Sequence, residues 1–399
     1  MRQAAKAPSF KDASDDLREL ARLAISPSHL QRVAGRVGAE WAAARDADGA
    51  AFRKDELPAD YAQAAAQAAT VMVDGGRYQG RAEEAGQGVT DPGWREVKVA
   101  CCQTLASRAH AVDPQPEPPK KFLDPIEAAR LAAEMKSRAR PASTRARKPT
   151  EATPPEGPRG RRRRKKGKRS GPRKLVRTVL ASTANSEAFG WQVAAEVQRR
   201  GLERARSKGY ICDGQRYNWS LYELHLVALG FIGILDFLHL LAYLYGAAQA
   251  AGGKGTARAQ VAYERWLRWS WSGRVKEVLA ELRAASRERG APPAGCPEED
   301  PRRVLAEAVG YVGNNRTRMD YPRYRRLGLP ISSAPVESTI KQLNRRMKGT
   351  EKFWLQGGAE ALLQVRAAYL SEDGRAERYW QRPRPYARAV GRGRLRQAT

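Results

Sequence analysis

The sequence predicts an α/β protein. A mixed sheet is covered by helices, an all-helical insertion precedes the last core helices, and a small helical region stands at the start. Three observations carry this. Short runs rich in β-branched residues recur, and the first three are not separated by the regular helices that separate the later ones. After the third run, helix and strand patterns alternate, as parallel strands joined by crossovers require. The 399 residues are 42% hydrophobic with nine tryptophans, enough for a substantial core.

Taken in order, residues 12 to 46 read as two helices, with Ser26 as N-cap and Pro27 as first residue of the second. The helical N-terminal region is drawn at 1–60. It is compatible with a DNA-binding helix-turn-helix and equally with a small packing unit. The core opens over 66–105 with "ATVMV", a strand ending at Asp74-Gly75, and "WREVKVACCQTL", Trp94 to Leu105. Residues 106–172 are rich in Pro, Arg, Lys and Glu with one helical pattern, and are expected to be a mostly flexible basic insertion. The core resumes over 173–250 with the strand "KLVRTVLAST", a helix, the strand "GYICDG", a helix near Trp219, the strand "FIGILD" and a further helix. Residues 251–330 form the helical insertion, 331–380 the final core helices, and 381–399 a basic tail.

The formal net charge of +29 points to a polyanionic partner, nucleic acid before membrane. One tract, Pro158 to Lys174, carries Arg161, Arg162, Arg163, Arg164, Lys165 and Lys166 in a row, but most of the excess charge lies outside it. The four cysteines form no Cys-x-x-Cys pair, which argues against structural zinc and suits a reducing cytoplasm. The first residues lack the apolar stretch of a signal peptide. Leu224 to Ala248 is apolar, but Asp236 in its middle would cost roughly 3 kcal/mol in a bilayer. It reads as a buried strand and a helix, and no membrane partner is expected.

Three acids stand at element ends: Asp74 after "VMV", Asp213 after "YIC", and Glu337 in the first turn of a basic helix. Each has an ordinary explanation alone. Asp-Gly after a strand is a turn signal, and Glu337 suits the helix dipole and can pair with Lys341. Together they describe something else. Adjacent strands can bring two aspartates side by side, and a helix packed on the sheet can add a third carboxylate. Such a hard-oxygen cluster suits two divalent ions about 3.5–4 Å apart. On the Glu337 helix, Val336, Ile340, Leu343 and Met347 form one apolar face, beside the cations Lys341, Arg345, Arg346 and Lys348. Trp266, Trp269 and Trp271 read as core of the insertion, with base stacking as the rarer use.

The segment "LGLPISSAPVESTIKQLNRRMKGTEKFW", with "DGQRYNW", "ILDFLHLLAYLYGAA" and "VMVDGG", resembles the bacterial ISKra-type insertion-sequence transposases. The likeness covers about residues 12 to 105 and Gly171 to Trp380. It implies a ribonuclease H-like core of the DDE class, with Asp74, Asp213 and Glu337 as catalytic metal ligands for two Mg²⁺ or Mn²⁺ ions. Asp236 and His239 match a supporting D-x-x-H element. The implied activity is cleavage at transposon ends and strand transfer into target DNA. The implied partners are double-stranded DNA, as terminal inverted repeats and target, and further copies of the chain in a dimer or larger synaptic complex. The setting would be the bacterial cytoplasm at the nucleoid. The chain departs from the family in having less sequence before residue 12 and a longer, more basic stretch at 106–172. A non-catalytic DNA-binding descendant is the alternative reading.

Overall fold

The structure is a computed structural model that describes residues 1–58, 65–81, 93–139, 171–349 and 352–382. Among these, α1 (Arg2–Lys6), α2 (Phe10–Ala21) and α3 (Pro27–Arg53) lead into β1 (Ala68–Gly80) and β2 (Gly93–Ala106). Two helices follow, α4 (Lys120–Leu123) and α5 (Pro125–Ala139), then β3 (Arg173–Ser182) and α6 (Ser186–Arg199). Next come β4 (Ser207–Cys212), α7 (Arg216–His225), β5 (Ile232–Leu235) and α8 (Phe237–Gly252). The insertion holds α9 (Ala257–Trp271), α10 (Val275–Arg289), α11 (Pro301–Asn315) and α12 (Tyr321–Arg326). The last helices are α13 (Ala334–Met347), α14 (Gln356–Leu370) and α15 (Arg375–Gln381).

The sheet has five strands in the order β3-β2-β1-β4-β5. β1 and β2 pair antiparallel, as do β2 and β3, while β1–β4 and β4–β5 are parallel. This is the mixed sheet the patterns predict, with helices on both faces. Neighbouring residues of a strand point to opposite faces. Cys101 accordingly meets Thr339 of α13, sulfur to hydroxyl at 3.2 Å, while α6 packs on β2 from the other side. The apolar face of α13 is buried as its spacing requires, through Val336, Ile340, Leu343 and Met347.

Two expectations change. The strand expected to end at Asp74-Gly75 runs on to Gly80, because β2 pairs with it as far as Gly93 and holds the glycines extended. Residues 107–139, expected as the start of a flexible insertion, are ordered. Asp113 pairs with the Arg325 guanidinium (Nε at 2.8 Å), the Trp271 indole donates to the Gln115 carbonyl at 2.8 Å, and Phe122, Ala128 and Met135 are buried. The N-terminal helices form a packing unit. α3 runs 27 residues along α14 and α6, so close to α14 that a Cβ on Gly38 would lie 2.0 Å from the Ala361 carbonyl oxygen. No helix among the described residues is long and apolar enough to cross a membrane.

Candidate active site

The site begins as a consequence of register. Met72 on β1 pairs in parallel with Ile211 on β4, so two residues further along Asp74 comes beside Asp213. Cys212 pairs with Leu235 on β5, and the Asp236 amide donates to the Cys212 carbonyl at 2.9 Å, so Asp236 follows Asp213. The acids form one row across three adjacent strands, at the carboxyl ends of β4 and β5, where open α/β sheets bind ligands.

Each acid has its own surroundings. Asp74 accepts the Gly75 amide at 2.7 Å. Burial and the neighbouring Asp213 push its carboxyl up to about 7, with Asp236 adding to them, while Gly75 and His239 oppose. Asp213 accepts the Gln215 amide at 3.1 Å and the Asn218 side-chain amide at 3.0 Å, and the Tyr311 hydroxyl donates to its backbone carbonyl at 2.9 Å. The turn after it passes through Gly214 at φ +93°, a conformation other residues adopt only with strain.

Asp236 is fully buried and hydrogen-bonded on both oxygens. As N-cap of α8, its Oδ1 accepts the amides of Leu238 at 2.6 Å and His239 at 3.3 Å. Its Oδ2 accepts the Ser333 amide at 2.6 Å and the Ser333 hydroxyl. Burial alone would raise its carboxyl, but His239 and Ser333 bring it below the ordinary range. His239 Nδ1 lies 3.7 Å from Asp236 Oδ2. Burial disfavours the imidazolium, yet the carboxylates of Asp236, Asp213 and Asp74 together raise its pKa.

Glu337 is buried in the first turn of α13, just beyond Ser333. Ligand atoms of Asp236, His239 and Glu337 all lie within 4.8 Å of one another, close enough to hold a metal ion. The acid from the late helix therefore approaches the pair expected only as support. Asp74 and Asp213 flank this trio along the row and feel its charges.

The expected DNA-facing cations divide. Lys341 and Arg345 are exposed, Lys341 with its Nζ 3.1 Å from Glu134 on α5. Lys348 lies over the Trp94 ring at 5.5 Å. Arg346 is a correction. It is 2% exposed, donates to the carbonyls of Ala4 and Pro8, and stacks on Phe10 at 4.3 Å. Its guanidinium ties the N-terminal helices to α13, because those carbonyls, left without helical donors, need a partner. Arg161, Arg162, Arg163, Arg164, Lys165 and Lys166 lie outside the described residues. Trp266 and Trp271 are core, as expected, and Trp269 packs against that core under Arg265 and Arg274.

Sequence reasoning missed the shell around Asp213. Asn218 and Tyr217 stood in the quoted "DGQRYNW", at a spacing that a helix start folds back toward the acid. The Tyr217 hydroxyl sits 3.0 Å from where a Cβ on Gly75 would be, and burial with Asp213 and Asp74 holds it well above its ordinary pKa. Tyr311 gave no local signal, since it comes from the distant insertion. No protein-family model matches the chain, and neither a curated protein nor a solved structure matches it.

Proposed function

We propose that the chain is a DNA transposase of the DDE class, with a ribonuclease H-like core, that cuts the ends of its element and joins them to target DNA. The observation that carries the reading is the row Asp74–Asp213–Asp236 on adjacent strands, met by Glu337 from a helix packed on the same sheet. The order β3-β2-β1-β4-β5, with three antiparallel strands followed by two parallel ones, is compatible with that core.

The residues fit divalent ions of the hard-oxygen class. Burial first, and the neighbouring Asp213 and Asp236 after it, push the Asp74 carboxyl up to about 7, and a bound cation would favour its charged form. Asp74, Asp213 and Glu337 would hold the ions, with His239 within reach of Glu337. Two bound Mg²⁺ or Mn²⁺ ions would supply Lewis-acid activation and charge neutralisation at the phosphodiester. The chain does the rest. Asn218 and the Gln215 amide orient Asp213. Asp236, with both oxygens engaged, fixes Ser333 and so aims the helix that carries Glu337. Lys341 and Arg345 offer charge to the backbone of the strand being cut.

The test uses full-length protein, Mg²⁺ and labelled duplexes carrying the sequences that flank its coding region. Nicked or cut ends, and joined products from pre-cleaved ends, are expected. Their absence despite tight binding would favour the second reading, a DNA-binding descendant that lives on its net charge of +29 alone.

A further inference from the structure

Beyond the sheet proper, β1 and β2 continue together as an arm. β4 pairs with β1 only as far as Met72, whereas β2 accompanies it to Gly80. The segment after α13 holds the arm in place. The Trp354 amide donates to the Gln79 carbonyl at 2.9 Å, its carbonyl accepts the Arg81 amide at 3.1 Å, and its indole donates to the Met347 carbonyl at 2.9 Å. Trp94 stands on this braced arm, opposite Gln79. It is 38% exposed, with the Lys348 ammonium 5.5 Å from its ring centroid. Arg77, paired with Glu96 two residues along the ladder, falls on the same face of the arm as Trp94 and is exposed. The nearby carboxylate on the arm, Glu96, is 3.1 Å from the Lys98 ammonium.

An indole held rigidly among cations suits one kind of ligand. The flat face stacks on a nucleobase, and the cations meet the phosphates on either side. A duplex keeps its bases stacked inside, so the ligand is an unpaired base. Gln79 is five residues along β1 from Asp74, so Trp94 lies about 17 Å from the acidic row along the strand. We propose that Trp94 is a stacking platform for an unpaired base of the DNA strand that reaches the acidic row. The proposal rests on the strand-cutting reading above.

The test is a binding scan with full-length protein in EDTA. The probes are labelled single-stranded oligodeoxynucleotides of one mixed sequence, each with an abasic residue at a different position. In the wild-type protein one position should weaken Kd by about tenfold. Trp94→Ala should weaken the intact strand by a similar factor and flatten the scan, and Trp94→Phe should restore the pattern. Trp94→Leu keeps apolar bulk without an aromatic face, and decides the matter should Trp94→Ala melt early. A flat wild-type scan, or a scan unchanged in Trp94→Ala and Trp94→Leu, would overturn the platform. So would an equal loss for fully paired duplex. Because no metal is present, the outcomes separate. A peaked scan without cleavage in Mg²⁺ sinks the catalytic reading alone, and cleavage with a flat scan sinks the platform alone.

Discussion

Glu360 and Asp74 are both half-buried carboxylates on the same sheet framework, yet they settle on opposite sides of the ordinary carboxylate range. Beside β3, Glu360 lies 2.5 Å from Arg45 Nη1 and accepts the Thr183 amide at 2.6 Å. Burial would raise it, but Arg45 and Thr183 pull it down. Asp373, also near β3, is lowered against burial by Arg375, which bonds Glu196 as well at 2.5 Å. At the row, Asp74 has no arginine to offset its burial and is raised, by that burial first and by Asp213 and Asp236 after it, while Asp236 is held down by His239 and Ser333. A carboxylate with its own arginine holds the fold together. A buried carboxylate without one is left with its desolvation uncompensated, and strongly perturbed groups of this kind are candidates for functional sites.

If the chain is the proposed transposase, the largest effect that would break this contrast is on cleavage. Glu337→Gln and Asp213→Asn should each lower end cleavage by roughly a thousandfold, about 4 kcal/mol of transition-state stabilisation. DNA affinity should stay equal or rise slightly, and the melting temperature should hold or rise as crowding is relieved. A variant that melts early but still cuts at the wild-type rate would make its acid an ordinary structural one.

Next in size is the paired side. Glu360→Ala leaves Arg45, whose side chain is 12% exposed, with only the half-exposed Asp46 as counter-ion, and removes the acceptor of the Thr183 amide; it should destabilise the protein by about 2 kcal/mol in denaturant titration. Cleavage per folded molecule should not change. A loss within experimental error would show the pair to be decoration.

Asp74 and the arginine-paired acids should also respond to pH with opposite signs. Asp74 is raised to about 7, so between the ordinary carboxylate range and that value the folded state keeps a proton the unfolded state releases. Its contribution to stability is complete below the unfolded pKa and is lost as pH rises toward 7. Glu360 and Asp373 are lowered, so theirs is present above the unfolded pKa and is lost as pH falls through the folded one. Melting curves in EDTA should therefore show wild type losing ground to Asp74→Asn as pH climbs from about 4 to 7. A flat difference would mean that Asp74 is not raised in the folded protein.

The smallest effects concern cations. Lys341→Ala or Arg345→Ala should leave stability within about 0.5 kcal/mol and lower the salt slope of duplex binding by about 0.9 each. Arg346→Ala should do the reverse, lowering the melting temperature and sparing the slope. Equal slopes in all variants would place the DNA elsewhere.

The strands and the Glu337 helix were legible because local pattern and burial agree there. Val336, Ile340, Leu343 and Met347 advertise a face, and that face is buried. The convergence of Asp74, Asp213 and Asp236 was legible only in part, since register is a property of pairs of strands. Residues 107–139 misled because their order comes from partners far along the chain, Trp271 and Arg325, rather than from their own periodicity. Arg346 misled for a related reason. It looks like its exposed neighbour Arg345, and only the docking of α1 and α2 decides that it is inside. The Asp74-Gly75 turn signal was overridden by the thirteen-residue ladder with β2.

The Asp236–Ser333 tie closes a span of 97 residues. In the test tube this matters little, because doubling a loop adds only about 0.6 kcal/mol of closure entropy. On the ribosome it sets a sequence of events. The sheet and α8 are complete once residue 252 has emerged, but the helix that carries Glu337 cannot reach them until all of α9 to α12 has been made. A nascent chain at that length carries all three aspartates of the row and no fourth carboxylate. Synthesis itself keeps the cluster of acids incomplete until the insertion is finished, so on the proposed reading fragments truncated anywhere before residue 337 should not cut DNA.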